Sequence, residues 1–244
     1  MRKKYYQLLD EIKSFFKRNH RNKATVGLSG GLDSAVTLKL CADALQAKNV
    51  TAILMPETGL TSKKNIDDAL SFARKLRVKN FVVEINPFLE CYNNLPWKQS
   101  KVALMNTKAR VRAVLLYNYS NSNNSLVAGT SNKSELLLGY GTKYGDLAAD
   151  VFVLGDMLKT EVVELAKFLK IPPTIIRKKP SAELTVGQTD ESDLGASYSK
   201  LDSILKKLLK EEKLNKKDNL VKKTLQRVDR NKHKSKPISI IEIQ

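Results

Sequence analysis

The sequence predicts an α/β fold, a doubly wound open parallel sheet flanked by helices. Three observations carry that expectation. Short apolar runs at 24–28, 50–55, 81–85 and 125–128 alternate with longer helical patterns, the order expected of βαβ units. The first run, Ala24 to Leu28, is largely apolar and partly β-branched, as suits a strand buried on both faces. It ends in Ser29-Gly30-Gly31, where the backbone can turn sharply into a helix.

The elements follow in order. Residues 2–18 place Tyr6, Leu9, Ile12, Phe15 and Phe16 on one side of a helix. Strand 24–28 leads into a helix from about Asp33, marked by Ala35, Leu38, Cys41, Ala42 and Leu45. Val50 to Met55 is a second strand, closed by Pro56 and the loop 57–62. A helix from about Ser62 to Leu76 precedes a third strand, Phe81 to Ile85. A long helix near 101–119, a short strand Ser125 to Ala128 and a helix Thr160 to Leu169 come next. Lys179 to Ser197 has no periodicity and reads as a long loop, a length usually reserved for function. Residues 198–230 return to helix, and the tail from Asn231 is expected to order with ligand. The whole chain, 1–244, thus reads as one domain with a helical basic C-terminal segment at about 198–244.

The net charge is +18, with thirteen Lys and Arg residues between Lys206 and Lys236. That run lacks interleaved aromatics for base stacking, so a solvated helical face is favoured over an RNA platform and nucleic acid is not an expected partner. No stretch is long and apolar enough to span a bilayer, and Met1-Arg-Lys-Lys-Tyr-Tyr lacks the apolar run of a signal peptide. Only Cys41 and Cys91 occur, without metal-binding spacing. A cytoplasmic location with both thiols free is the expectation.

The segment Gly27-Leu28-Ser29-Gly30-Gly31-Leu32-Asp33-Ser34 carries the strongest chemical signal. Glycines let backbone N–H groups approach an anion, and the helix that follows aims its positive end at the same place. The spacing is not GxxxxGK[ST], and no lysine follows the glycines. Asp33 stands instead where an anion binder would avoid a carboxylate, which makes sense if it holds Mg²⁺ beside phosphates. In a parallel sheet the turn after strand 125–128 shares the crevice with this loop. Thr130 and Glu135 therefore face it, with Glu135 as a second carboxylate for the metal. Lys159 sits at a helix start, against the preference of the dipole, and that misfit favours an anion partner.

SGGLDS at a strand-to-helix turn resembles the loop of N-type ATP pyrophosphatases, of the adenine nucleotide alpha hydrolase-like fold. With NKSELLLGYGTKYGD, LKTEVVELAKFL, PSAEL, GQTDE and a terminal His233-Lys234, the chain resembles the short, ammonia-dependent NAD synthetase family. The resemblance runs from about residue 20 to 237. It implies a ligase that amidates deamido-NAD with ammonia, using ATP and Mg²⁺ and releasing AMP and pyrophosphate. It implies that residues Gly27 to Ser34, Thr130, Lys159 and Ser181 bind ATP, and that Asp33 and Glu135 hold Mg²⁺. Asn106, Arg110, Lys143, Asp150, His233 and Lys234 would bind deamido-NAD. The helix 101–119 would pack at the two-fold interface of a homodimer.

Two departures stand out. Leu147-Ala148 replaces a Gly-Gly common after this aspartate in relatives, and Leu54-Met55 stands where many carry an adenine-covering arginine. The alternative reading is another N-type ATP pyrophosphatase acting on a GMP precursor or on tRNA. A non-catalytic nucleotide sensor would not need the pair Asp33 and Glu135. Glutamine-dependent relatives use a separate amidohydrolase domain with a catalytic cysteine, for which 244 residues leave no room. Free ammonia is the expected donor.

Overall fold

The computed structural model describes residues 1–185, 187–238, 240, 241 and 243. Val186 of the long loop and Ser239, Glu242 and Gln244 of the tail lie outside the described residues. Five parallel strands, β1 (Ala24–Gly27), β2 (Val50–Leu54), β3 (Lys79–Val82), β4 (Leu126–Gly129) and β5 (Val151–Phe152), form one sheet. Their order is β3-β2-β1-β4-β5. β1 is central, and the chain builds outward from it first on one side and then on the other. The topological switch therefore lies between β1 and β4, where a parallel sheet opens a crevice at its carboxyl ends.

Helices cover both faces. α1 (Arg2–Arg18) and α2 (Leu32–Leu45) pack together, with α3 (Lys63–Lys75) beside them. α2 is buried almost all round, because it lies between the sheet and four neighbouring helices. Alternation along β2 divides the core: Val50, Ala52 and Leu54 join the α1–α2 side, whereas Ile53 and Met55 face Val111, Leu115 and Leu116. Those last three belong to α5 (Lys101–Asn123), which follows the short α4 (Asn86–Glu90). Cys41 is buried in the first core, and burial pushes its thiol up to about 12, as expected of a packed cysteine.

The edges of several elements differ from expectation. β3 begins at Lys79, two residues early, and Ile85 is fully buried at the start of α4. Phe81 and Val82 are exposed on this edge strand, so apolar character there did not mark the buried stretch. α5 runs a turn further than 119 and stops where Asn124 adopts the left-handed conformation. β5 was not anticipated, since two residues leave no periodicity to read.

After β4 come α6 (Lys133–Leu138), α7 (Lys159–Phe168) and α8 (Pro173–Ile176). The loop 179–197 contains a short helix, α9 (Asp190–Leu194). The C-terminal segment divides into α10 (Tyr198–Leu209) and α11 (Asn219–Asn231), with a second small core joining α10 to Leu138 and Leu158. No helix among the described residues is long and apolar enough to cross a membrane.

Candidate active site

A cleft of about 900 Å³ opens at the carboxyl ends of β1 and β4, the upper end of the range for ligand sites. Every residue from Gly27 to Ser34 except Gly30 lines it, together with Thr130, Glu135, Lys159 and Ser181. Gly30 does a different job. Its φ is +78°, and a Cβ there would lie 2.7 Å from the Asn65 carbonyl oxygen, so the loop can lie against α3 only as glycine. Within the loop, Gly31 N–H donates to Ser29 Oγ at 3.2 Å and Ser34 Oγ donates to the Gly31 carbonyl at 3.0 Å. No side chain caps the start of α2. Its first N–H groups are left for an anion in the cleft.

Three charged groups meet beside this loop. Asp33 stands in the first turn of α2, Glu135 in the first turn of α6, and Lys159 opens α7. Lys159 Nζ pairs directly with Asp33 and lies 3.8 Å from Glu135 Oε1. Asn132 joins the carboxylates. Its Oδ1 accepts from Glu135 N–H at 3.0 Å, and its Nδ2 donates to Asp33 Oδ1 at 3.2 Å. Asn132 is fully buried and was missed in the sequence, although Asn132-Lys-Ser-Glu135 has the spacing of a capping box.

Burial, then the nearby Asp33, raises Glu135 well above the ordinary carboxylate range, with Lys159 opposing. Burial alone would lower Lys159, but Asp33 and Glu135 raise it above its ordinary value. One ammonium thus serves two carboxyl groups, and a further cation beside them would favour the charged form of both and add to the negative charge it meets. Asp190 is buried on α9, accepts from Tyr140 OH and Tyr198 OH at 3.1 Å each, and is raised chiefly by burial. Among the described residues no cluster of three or more His, Cys, Asp or Glu could hold a metal by itself. Two carboxylates with space for phosphate oxygens and water fit Mg²⁺, which seldom takes an all-protein cage.

The other predicted residues separate into two groups. Asn106 and Lys234 line the cleft; Arg110, Lys143, Asp150 and His233 do not. Asn106 Oδ1 accepts from Thr142 Oγ1 at 2.8 Å, and Arg110 Nε reaches the Lys143 carbonyl at 3.4 Å. Asp150 is engaged within the sheet, accepting from Val127 N–H at 2.7 Å and Tyr117 OH at 3.3 Å. Lys234 Nζ donates to the Gly139 and Gly141 carbonyls at 2.9 Å each. The start of the tail is therefore already seated on the turn after α6, and the exposed His233 hydrogen-bonds the Arg230 carbonyl through Nδ1. Ser181 Oγ donates to the Gln188 carbonyl at 2.7 Å, folding the loop on itself.

Sequence reasoning also missed the tie beneath the loops. Lys108 is buried on α5, pairs with Glu57 Oε1 at 2.7 Å and donates to the Leu184 carbonyl at 3.3 Å. Arg112 lines the cleft and donates to the Met55 carbonyl at 3.0 Å. Their spacing on α5 was legible, but which face would meet the loops was not.

The NAD synthase family pattern matches residues 4–238. The chain belongs to that family. It is 43% identical to the NH(3)-dependent NAD(+) synthetase of Archaeoglobus fulgidus over 228 residues, covering 93% of this chain and 92% of that one. Two solved structures extend over nearly the whole chain. NMN synthetase from Francisella tularensis superposes with a TM-score of 0.89 at 30% identity, covering 100% of this chain and 99% of the other. The NH3-dependent NAD synthetase of Campylobacter jejuni, in complex with nitrate, gives 0.84 at 38% identity, with 99% of each chain covered. Membership of the NAD synthase family accounts for the parallel sheet with its glycine-rich loop at the switch point.

Proposed function

We propose that this chain is a ligase that makes NAD from deamido-NAD, ATP and ammonia. The observation that carries the reading is the meeting of Asp33, Glu135 and Lys159 beside the 27–34 loop, in a chain of this family. A carboxylate is a poor electrophile, so the nicotinate carboxylate attacks the α-phosphorus of ATP and expels pyrophosphate. Ammonia then attacks the acyl carbon of the acyl-adenylate, and AMP leaves. The loop N–H groups and Lys159 offset charge developing on the departing pyrophosphate. Asp33 and Glu135 would hold Mg²⁺, which supplies further neutralisation of phosphate charge when bound. Catalysis rests on positioning, and the 57–62 and 179–197 loops exclude water from the adenylate.

In this reading Thr130 and Ser181 contact ATP, while Asn106, Arg110, Lys143, Asp150, His233 and Lys234 serve deamido-NAD. The chain acts as one domain, in the cytoplasm, and as a homodimer. Support for the dimer comes from the outer face of α5, where Val114 is exposed beside Arg110.

A second reading, amidation of nicotinate mononucleotide, is favoured by the whole-chain likeness to an NMN synthetase. One assay separates the two. Purified protein is given ATP, Mg²⁺ and ammonium with either deamido-NAD or nicotinate mononucleotide, and AMP and the amide are measured. NAD formed only in the complete mixture, and faster than NMN, supports the first reading. The reverse ratio supports the second, and no amide with either acceptor rejects both.

A further inference from the structure

We infer that Asp202, a buried acid of the C-terminal segment, is a positioning residue for the reaction centre. The inference rests on the reading of Glu135 and Lys159 given above. Asp202 lies on α10, is 1% exposed, and touches neither cleft nor solvent. Its Oδ1 accepts from Ser134 Oγ at 2.5 Å, and its Oδ2 accepts from Thr160 N–H at 2.8 Å. Ser134 Oγ in turn accepts from Lys159 N–H at 2.9 Å. Ser134 directly precedes Glu135 in the first turn of α6, and Lys159 and Thr160 open α7. One carboxylate therefore fastens the start of two helices, and each of those starts carries a charged group of the site.

The chemistry of the arrangement is specific. Thr160 N–H belongs to the first turn of α7, so the helix that carries Lys159 turns the positive end of its dipole toward Asp202. An amide in its place offers one acceptor oxygen and one donor nitrogen, so it cannot accept from both Ser134 and Thr160. Four residues before Asp202, on the same face of α10, the Tyr198 ring lies 5.4 Å from Lys159 Nζ. α10 thus meets the start of α7 at the Thr160 backbone and at the Lys159 ammonium. The spacing of Glu135 from Lys159, and so the room left for a cation and a phosphate, follows from where Asp202 holds their helices.

The test compares wild-type protein with Asp202→Asn and with Ile204→Ala. The second variant loses buried volume on α10 toward α11, leaving the α6 and α7 starts untouched. ATP affinity is measured by calorimetry with and without Mg²⁺, and kcat and KM for ATP by steady-state kinetics. Asp202→Asn is expected to weaken Mg²⁺-dependent ATP binding and raise KM for ATP about tenfold or more, the usual effect of losing a partner that orients a ligand. Ile204→Ala is expected to lower Tm while leaving both constants near wild type. Unchanged ATP affinity and KM in Asp202→Asn, or an equal change in Ile204→Ala, would overturn the inference. Wild-type protein that binds ATP with Mg²⁺ but forms no amide would reject the proposed reaction, leaving the calorimetric comparison to decide the role of Asp202.

Discussion

Lys159 and Asp33, 126 residues apart, form a buried ion pair that joins the start of α7 to the start of α2. Both residues line the cleft at the carboxyl ends of β1 and β4, and Glu135 Oε1 lies 3.8 Å from Lys159 Nζ. A buried pair of this kind is poor evidence of added stability, because desolvation offsets most of the attraction. Its place beside the glycine-rich loop accords with the proposed catalytic role rather than with a stabilising one.

Asp33→Asn and Glu135→Gln should each lower kcat by about 10²–10³, the scale of losing one preorganised charge at a reacting phosphate. The fold should persist, since each change is isosteric: Asn132 Nδ2 can still donate to residue 33, and Asn132 N–H to residue 135. Near-normal turnover in both variants, with unchanged Mg²⁺ dependence, would sink the assignment of these carboxylates.

The pH dependence of stability has a definite sign. Glu135 is raised on folding, first by burial and then by Asp33. The folded chain then binds more protons than the unfolded one, so this contribution is fully present below the unfolded value of about 4.3 and is lost as pH rises through the folded value. Thermal melts without ligand should show Tm falling from about pH 5 upward, more steeply in wild type than in Glu135→Gln. Identical slopes in the two proteins would contradict this account.

Lys108→Met should destabilise the protein by roughly 3 kcal/mol, because it strands a buried Glu57 without its partner. Lys108→Met combined with Glu57→Gln should recover much of the loss in urea melts. Additive losses would mean that the two residues act independently.

At Gly139, φ is +58° and a Cβ would lie 2.2 Å from Asn231 Cβ. Gly139→Ala should therefore cost about 2–3 kcal/mol through backbone strain and overpacking. It should also loosen α11, seen as faster amide exchange from 219 to 231. Wild-type protection in that helix would show that the contact is dispensable.

Arg110→Ala should weaken the acceptor substrate, raising its KM about tenfold with little effect on KM for ATP, as expected from losing one charge-assisted contact. An effect confined to ATP would contradict the proposed division of the cleft.

The sequence by itself determined the local half of this protein. Apolar runs and glycine placement gave β1, β2 and the glycine-rich turn after β1, because a buried central strand and a sharp turn constrain residue type at each position. Asp33 and Glu135 were legible for the same reason, each lying in the first turn of a helix after a strand. Tertiary structure alone decided what met at the site from a distance. β5 and the limits of β3 depended on pairing, which places exposed Phe81 in a strand and buried Ile85 outside it. Lys108, Asp190 and Asp202 read as ordinary charged residues until packing buried them, since desolvation makes a charge select partners on other elements. Charge pattern along the chain records no such burial, and it arises only when α5, α9 and α10 close around the sheet.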